Sequence, residues 1–260
     1  MRLVLLGTGS LKPTALRYGS SVLLELSRIR LLLDCGPSTL AKLARLGVDA
    51  RDLDAVFLSH FHIDHTSDVP DLITSLSMDR SGRPSPPERP LRLLGGEGLK
   101  DFLDAALRRN PYYGYAAEWM DQLNLAEAVE LRPGQEYVLK GLRLKVAEVD
   151  HPNGVAVRIS SPGLSVTYSG DTAPCEQLVE LAKGTDVLIH ECSFPDEALM
   201  GKHTSERGLA EVTSRVMPRL LIATHLYPHW EGREHEIPEA VRRLCEARTV
   251  VARDMLEVRL

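Results

Sequence analysis

Apolar residues along this chain fall into short runs separated by polar or glycine-containing breaks. Leu3–Leu6, Ser21–Leu26, Ile29–Asp34 and Ala55–Ser59 have the length and content of buried strands. Val187–Ile189 and Leu220–Thr224 read the same way. Tyr137–Val149 predicts two strands joined at Gly141, and Val155–Ser160 with Leu164–Ser169 predicts a hairpin closed around Pro162-Gly163. Other segments carry a helical pattern: Ser38–Leu46, Thr66–Leu76, Gly98–Arg109, Ser205–Val216 and Ile237–Ala247. Arg80–Pro90, rich in Pro, Ser and charge, predicts a loop. Two strand-rich halves with interspersed helices predict an α/β (α+β) fold of sheets covered by helices on their outer faces. No solenoid-length repeat and no dividing linker is visible, so residues 1–260 are expected to form a single domain.

Composition narrows the class. A hydrophobic fraction of 43% is ordinary for a soluble globular protein. No apolar run approaches a membrane span, and the N-terminus lacks a signal-peptide layout, which predicts a cytoplasmic protein with no membrane partner. Cys35, Cys175, Cys192 and Cys245 are scattered without a CxxC pair. This excludes a disulfide framework or a cysteine zinc knuckle and predicts four small buried residues. The net charge of −5 gives no support to broad nucleic-acid binding. Residues 1–51 nevertheless carry eight Lys/Arg against three Asp/Glu. That basic rim could meet an anionic substrate or simply be solvated. Arginine in excess over lysine, with few Asn and Gln, is the composition of a thermostable protein, a bias that a GC-rich genome also produces.

Candidate chemistry concentrates in Ser59-His60-Phe61-His62-Ile63-Asp64-His65, directly after the strand-like run Leu53–Leu58. A strand that delivers four metal-competent side chains into one turn is hard to explain by packing. Three further residues share the strand-end context. His151 follows Leu144–Asp150, Asp171 follows Ser165–Gly170, and His225 follows Leu220–Thr224. Asp171 could instead cap a helix starting near Pro174. Imidazole and carboxylate suit zinc and similar first-row ions, and seven ligands exceed one tetrahedral site. They suit two divalent ions sharing a carboxylate and a water, whose lowered pKa gives a hydroxide nucleophile. Zinc is the default for such histidine-rich sites, and manganese or iron could use the same ligands. His203 precedes Thr204-Ser205, which can cap the helix to Val216, a favourable place for an anion.

The segment His60–His65 matches the HxHxDH motif of the metallo-β-lactamase superfamily, and the chain resembles that superfamily over nearly its whole length. Leu6-Gly7-Thr8-Gly9-Ser10, Leu33-Asp34-Cys35-Gly36, Tyr168-Ser169-Gly170-Asp171-Thr172 and Ala223-Thr224-His225 carry the resemblance. Leu188–Phe194 and Lys202-His203-Thr204-Ser205 resemble the branch of ribonuclease Z and related phosphodiesterases and arylsulfatases. The resemblance implies a four-layer αβ/βα sandwich of two mixed sheets flanked by helices. It implies that His60, His62 and His151 hold one ion, that Asp64, His65 and His225 hold the other, and that Asp171 bridges. It gives His203 the task of stabilising the transition state or protonating the leaving group, Glu191 that of orienting His203, and Asp64 a second role as base. The absence of a cysteine ligand argues against a β-lactamase. A homodimer is a family-level expectation.

One departure bears on substrate. Usual ribonucleases Z carry a long tRNA-clasping arm between the third metal histidine and the bridging aspartate. Only nineteen residues, Pro152 to Gly170, separate His151 from Asp171 here, and a hairpin uses them. The sequence therefore predicts phosphodiesterase chemistry on an anionic small-molecule or nucleotide-type substrate, with tRNA disfavoured. An arylsulfatase, lactonase or thioesterase of the same fold is the alternative, and a non-enzymatic metal-binding sensor a third reading. Arg17, Tyr227, His229 and His235 are candidates for substrate contact or for packing. Tyr112, Tyr113, Tyr115 and Trp119 could line an entrance, meet a partner chain, or pack in the core.

Overall fold

The computed structural model describes residues 1–26 and 28–260. Its first elements are strands β1 (Arg2–Gly7), β2 (Ser21–Leu26) and β3 (Ile29–Leu33), helix α1 (Thr39–Arg45) and strand β4 (Ala55–Leu58). Helices α2 (Ile63–Thr66) and α3 (Val69–Ser75), strand β5 (Leu91–Gly95) and helix α4 (Leu99–Leu103) follow. Helix α4 runs into a π-helical turn at Asp104–Arg108, before α5 (Gly114–Gln122) and β6 (Ala126–Glu130). Next come β7 (Glu136–Leu139), β8 (Leu142–Glu148), β9 (Val155–Ser161), β10 (Leu164–Tyr168), α6 (Glu176–Ala182) and β11 (Val187–Glu191). The chain ends with α7 (Glu206–Val216), β12 (Leu220–Thr224), α8 (Glu236–Arg242), β13 (Arg248–Val251) and β14 (Leu256–Arg259).

These elements form two compact units. The first comprises Met1–Gly7, Ser20–Glu130 and Met255–Leu260. Its seven-stranded sheet has the order β14-β1-β2-β3-β4-β5-β6. Pairing is antiparallel from β14 to β3 and parallel from β3 to β6. Alternate strand residues Val4, Leu6, Leu23, Leu32, Val56 and Leu58 join Leu43 of α1 and Val69, Leu72 and Ile73 of α3 in one core. The helix residues recur at three and four, which puts them on one face. Each such side chain contributes roughly 1.5–3 kcal/mol by leaving water.

The second unit comprises Thr8–Gly19 and Leu131–Asp254. Its sheet, β13-β12-β11-β10-β9-β8-β7, repeats the mixed pattern: parallel from β13 to β10, antiparallel from β10 to β7. Leu188, Leu221 and Ala223 pack with Val179 of α6, Leu209, Val212 and Val216 of α7, and Ile237 and Val241 of α8. Buried Trp230 completes this core and donates its Nε1 proton to the Cys192 carbonyl at 2.7 Å. Ser205 caps α7 by accepting from Gly208 N at 3.3 Å. The Asp254 carboxylate pins the segment Thr8–Gly19, accepting from Thr8 N, Thr8 Oγ1 and Tyr18 N.

The expected hairpins form. The β9–β10 turn places Gly163 at φ +79°, a left-handed conformation that glycine adopts without strain. Three expectations change. The last helix stops at Arg242 instead of Ala247. Strands β5, β6, β13 and β14 and helix α5 carry no pattern that the sequence reading recognised. Of the four cysteines only Cys35 and Cys192 are buried, whereas Cys175 and Cys245 are half-buried. Burial pushes the Cys35 and Cys192 thiols well above the ordinary range. Among the described residues, no helix is long and apolar enough to cross a membrane.

Candidate metal centre

Parallel strands end at the same edge of a sheet, where their following loops can meet. In the first unit, β3 and β4 run parallel, so Asp34 and Ser59 emerge side by side. Asp34 adopts φ +60°, which turns the chain sharply after β3. Its Oδ1 accepts from Ser59 N at 2.7 Å, and its Oδ2 accepts from Ser59 Oγ at 2.8 Å. The same Oδ2 lies 2.7 Å from His65 Nδ1, with both side chains fully buried.

Proton counting fixes two imidazoles here. A carboxylate only accepts, so His65 carries its proton on Nδ1 and its lone pair on Nε2. The Ser59 hydroxyl gives its single proton to Asp34. Its oxygen therefore accepts from His60 Nδ1, 3.1 Å away, and His60 too has its lone pair on Nε2. The His60 ring centroid lies 4.6 Å from that of His62 and 4.1 Å from that of His65. Helix α2 begins immediately after His62 and carries Asp64 and His65, whose Oδ2 and Nε2 are 3.8 Å apart. Phe61, between the two histidines, stacks on Phe102 of α4 at 5.0 Å. Gly36 lets the chain pass: a Cβ there would lie 2.1 Å from the Asp64 carbonyl oxygen.

In the second unit, parallel β10, β11 and β12 deliver Asp171, Glu191 and His225 to one edge. Strand β8 points the same way, and an isolated bridge between Asp150 and Ala173 holds His151 beside them. His225 takes φ +58° just past β12, so left-handed backbone occurs at a strand end in both units. His225 Nε2 is 3.3 Å from Asp171 Oδ2. One donor atom each of Asp171, His203 and His225 lie within 4.8 Å of one another. Asp171 does not cap the following helix, since the residue at the α6 N-cap is Cys175.

Glu191 is 1% exposed and satisfied from every side. Oε1 accepts from Thr172 N at 2.7 Å and faces His203 Nδ1 at 3.0 Å. Oε2 accepts from Ser193 Oγ at 2.5 Å, Thr204 N at 3.1 Å and Ser193 N at 3.2 Å. The Ser193 oxygen also lies 2.9 Å from His225 Nδ1 and 3.2 Å from His203 Nδ1. The His203 and His225 rings are nearly parallel, with centroids 5.7 Å apart.

Each expected site residue thus has a place. His60, His62, Asp64 and His65 gather in the first unit, and His151, Asp171, Glu191, His203 and His225 in the second. Of the remaining candidates, Tyr227 lies beside the site, its ring centroid 6.1 Å from that of His203 and 5.9 Å from that of His225. Arg17 donates to the Ala252 carbonyl at 2.8 Å and pairs with Glu234, which makes it a structural tie. Tyr227 stacks on Phe194 at 4.2 Å, and His229 and His235 are exposed. Tyr112, Tyr113 and Tyr115 are exposed as well, which removes the core reading of that cluster. The sequence reading missed Asp34, Ser59 and Ser193 as supports. All three lie inside the motif segments, but their partners are set by strand pairing.

Comparison with known proteins places these observations. A family model described as "Anti-Pycsar protein Apyc1" matches residues 1–240. Ribonuclease Z of Mycobacterium bovis (strain BCG / Pasteur 1173P2) is 32% identical over 246 residues, covering 88% of this chain and 86% of the relative. Ribonuclease Z of Methanosarcina mazei is 28% identical over 312 residues, covering 99% of this chain and 97% of the relative. That alignment exceeds the 260 residues of this chain, so the relative carries segments with no counterpart here. Among solved structures, the metallo-β-lactamase fold protein YhfI from Bacillus subtilis matches with TM-score 0.81 at 21% identity, over 99% of this chain and 98% of that one. The short form of human tRNase Z matches with TM-score 0.73 at 20% identity, over 100% and 99%. A diphosphatase from the PhnP family matches with TM-score 0.72 at 18% identity, over 100% and 97%. The structural likenesses show the fold: two mixed sheets flanked by helices, the class expected from the sequence.

Proposed function

The chain belongs to the family described as Anti-Pycsar protein Apyc1, within the metallo-β-lactamase superfamily and its ribonuclease Z and phosphodiesterase branch, and from that premise we propose a two-metal phosphodiesterase. In this reading His60, His62 and His151 hold one divalent ion, Asp64, His65 and His225 hold the second, and Asp171 serves both. The donor chemistry fits: imidazoles whose Nδ1 protons are taken up by Asp34 and Ser59 offer Nε2, alongside carboxylates. When bound, the ions would activate water and neutralise charge on phosphoryl oxygens. Zinc is the ion proposed.

The protein's own groups do the remaining work. With Nδ1 donating to Glu191, His203 in its imidazolium form would carry a second proton on Nε2 and give it to the departing oxygen. Glu191 orients His203 and is itself held by three backbone N–H groups. Asp64 would also serve as a base. The observation that carries the reading is the Glu191–His203 pair beside Asp171 and His225, an acid positioned next to metal-type donors.

The substrate class we propose is a small, anionic, nucleotide-type phosphodiester. Support comes from the connection between His151 and Asp171, where β9, β10 and a two-residue turn use residues 155–168. A rate panel tests the reading: zinc-loaded protein is offered a bis-aryl phosphate, cyclic and linear nucleotides, precursor tRNA, an aryl sulfate, a lactone and a thioester. Preferential cleavage of the small phosphodiesters is expected. No phosphodiester cleavage together with turnover of another ester class overturns it, and so does a fully active Asp171→Ala variant.

A further inference from the structure

We propose that Ser193 is a positioning residue: its hydroxyl locks His225 with the proton on Nδ1 and joins it to the Glu191–His203 pair. The argument is again one of protons. Ser193 has one hydroxyl proton, and the shortest of its contacts is to Glu191 Oε2, at 2.5 Å. Both Glu191 oxygens face donors, so the carboxylate accepts and that proton goes to it. The Ser193 oxygen is left with lone pairs only. His225 Nδ1, 2.9 Å away, must therefore donate to it, which leaves Nε2 as the ring atom able to offer a lone pair.

His203 Nδ1 meets Glu191 Oε1 at 3.0 Å and Ser193 Oγ at 3.2 Å, both acceptors, so it too carries its proton on Nδ1. One buried hydroxyl thus faces the Nδ1 protons of two imidazoles whose rings lie nearly parallel, sharing that of His203 with Glu191. The other ring nitrogen of His225, Nε2, faces Asp171 Oδ2 at 3.3 Å. In metal-bound protein the same nitrogen and carboxylate oxygen would share a cation. Strand pairing makes the arrangement rigid, since Cys192 N donates to the Thr224 carbonyl and Tyr227 N donates to the Ser193 carbonyl. Threonine could replace serine in this role. Alanine could not.

The proposal rests on the two-metal reading only for what Nε2 of His225 binds, so its test begins on metal-free protein. Nitrogen-15 spectra at pH 8, with the His225 signals assigned through His225→Gln, are expected to show the Nδ1–H form of His225 in the wild type. Ser193→Ala is expected to give a mixture rich in the Nε2–H form, and Ser193→Thr to keep the wild-type form. Zinc competition titrations should then show affinity about 10–100-fold weaker for Ser193→Ala and within about threefold for Ser193→Thr, the usual range for a group that supports a metal ligand. A wild-type spectrum dominated by Nε2–H overturns the proposal even if Ser193→Ala fails to fold. So does a Ser193→Ala protein with unchanged tautomer and zinc affinity. If the tautomers behave as stated while the wild type binds no divalent ion, the positioning role stands and the two-metal reading falls.

Discussion

Asp34 Oδ2 accepts the Nδ1 proton of His65 at 2.7 Å, with neither side chain reached by solvent. The pair ties the end of β3 to the turn after β4. A metal-type residue seven positions beyond the strand is thereby held by a neighbouring strand. Replacing Asp34 by Asn puts an amide where three donors converge. We expect zinc affinity to fall about 10–100-fold and the metal-free protein to lose about 1–3 kcal/mol of stability. Competition titration and urea unfolding read the two effects, and an unchanged affinity would show that His65 needs no such support.

Gly36 tests the geometry of the same turn. An added Cβ meets the Asp64 carbonyl oxygen at 2.1 Å and the Ser20 carbonyl oxygen at 2.9 Å. Both are backbone atoms and cannot swing aside. Gly36→Ala should cost about 3 kcal/mol or more and displace Asp64, lowering the melting temperature and zinc affinity together. A variant that melts like the wild type contradicts this packing.

Glu191 and His203 should behave as one device. His203→Ala is expected to lower kcat on a bis-aryl phosphate by about 10²–10⁴-fold, and Glu191→Gln by a smaller factor. The double variant should fall well short of the product of the two penalties, because Glu191 acts chiefly through His203 and otherwise only through the Ser193 hydroxyl. Multiplying penalties would assign Glu191 an independent task.

His190 supplies a pH dependence of stability. Its Nδ1 donates to the Glu191 carbonyl at 2.7 Å, and its Nε2 is buried with no hydrogen-bond partner among the described residues. Burial holds its pKa below the ordinary 6.5. As pH falls, the unfolded chain therefore takes up this proton before the folded one does. The stability due to a neutral His190 is complete above about pH 6.5 and is lost on acidification below it, by up to about 1.4 kcal/mol per pH unit. Urea unfolding of metal-free His190→Leu should decline less steeply than wild type between pH 6.5 and 5. Parallel curves would mean that His190 protonates at no cost.

What could be read from the sequence divides along physical lines. The His60–His65 cluster was legible because its residues are adjacent, and His151, Asp171 and His225 because each follows an apolar run. The β9–β10 hairpin was legible from Pro162-Gly163. Strand β6, Ala126–Glu130, was not, because its half-polar residues become a strand only through pairing with β5. The edge strands β13 and β14 were hidden for the same reason. Asp34 and Ser193 stood in recognised segments, yet their tasks depend on which strand lies next door, and local patterns do not record that. The last helix was overextended past Arg242 because its apolar residues continue, although the backbone turns back through bonds from Leu244 N and Cys245 N to the Val241 carbonyl.

Strand β11 carries two adjacent ionisable residues with opposite fates. A pleated strand sends neighbours to opposite faces. His190 therefore shares the face of Leu188 and Cys192, which belong to the core around α7, while Glu191 faces the other way. Which residue serves which purpose is a matter of parity, set by pairing Ile189 with Tyr168 and Glu191 with Thr224. A slip of one position would bury a carboxylate among aliphatic side chains and seat an imidazole in its cradle. Residues such as Val166, Leu220 and Ile222 never touch the reacting groups, yet they guard the chemistry by keeping count.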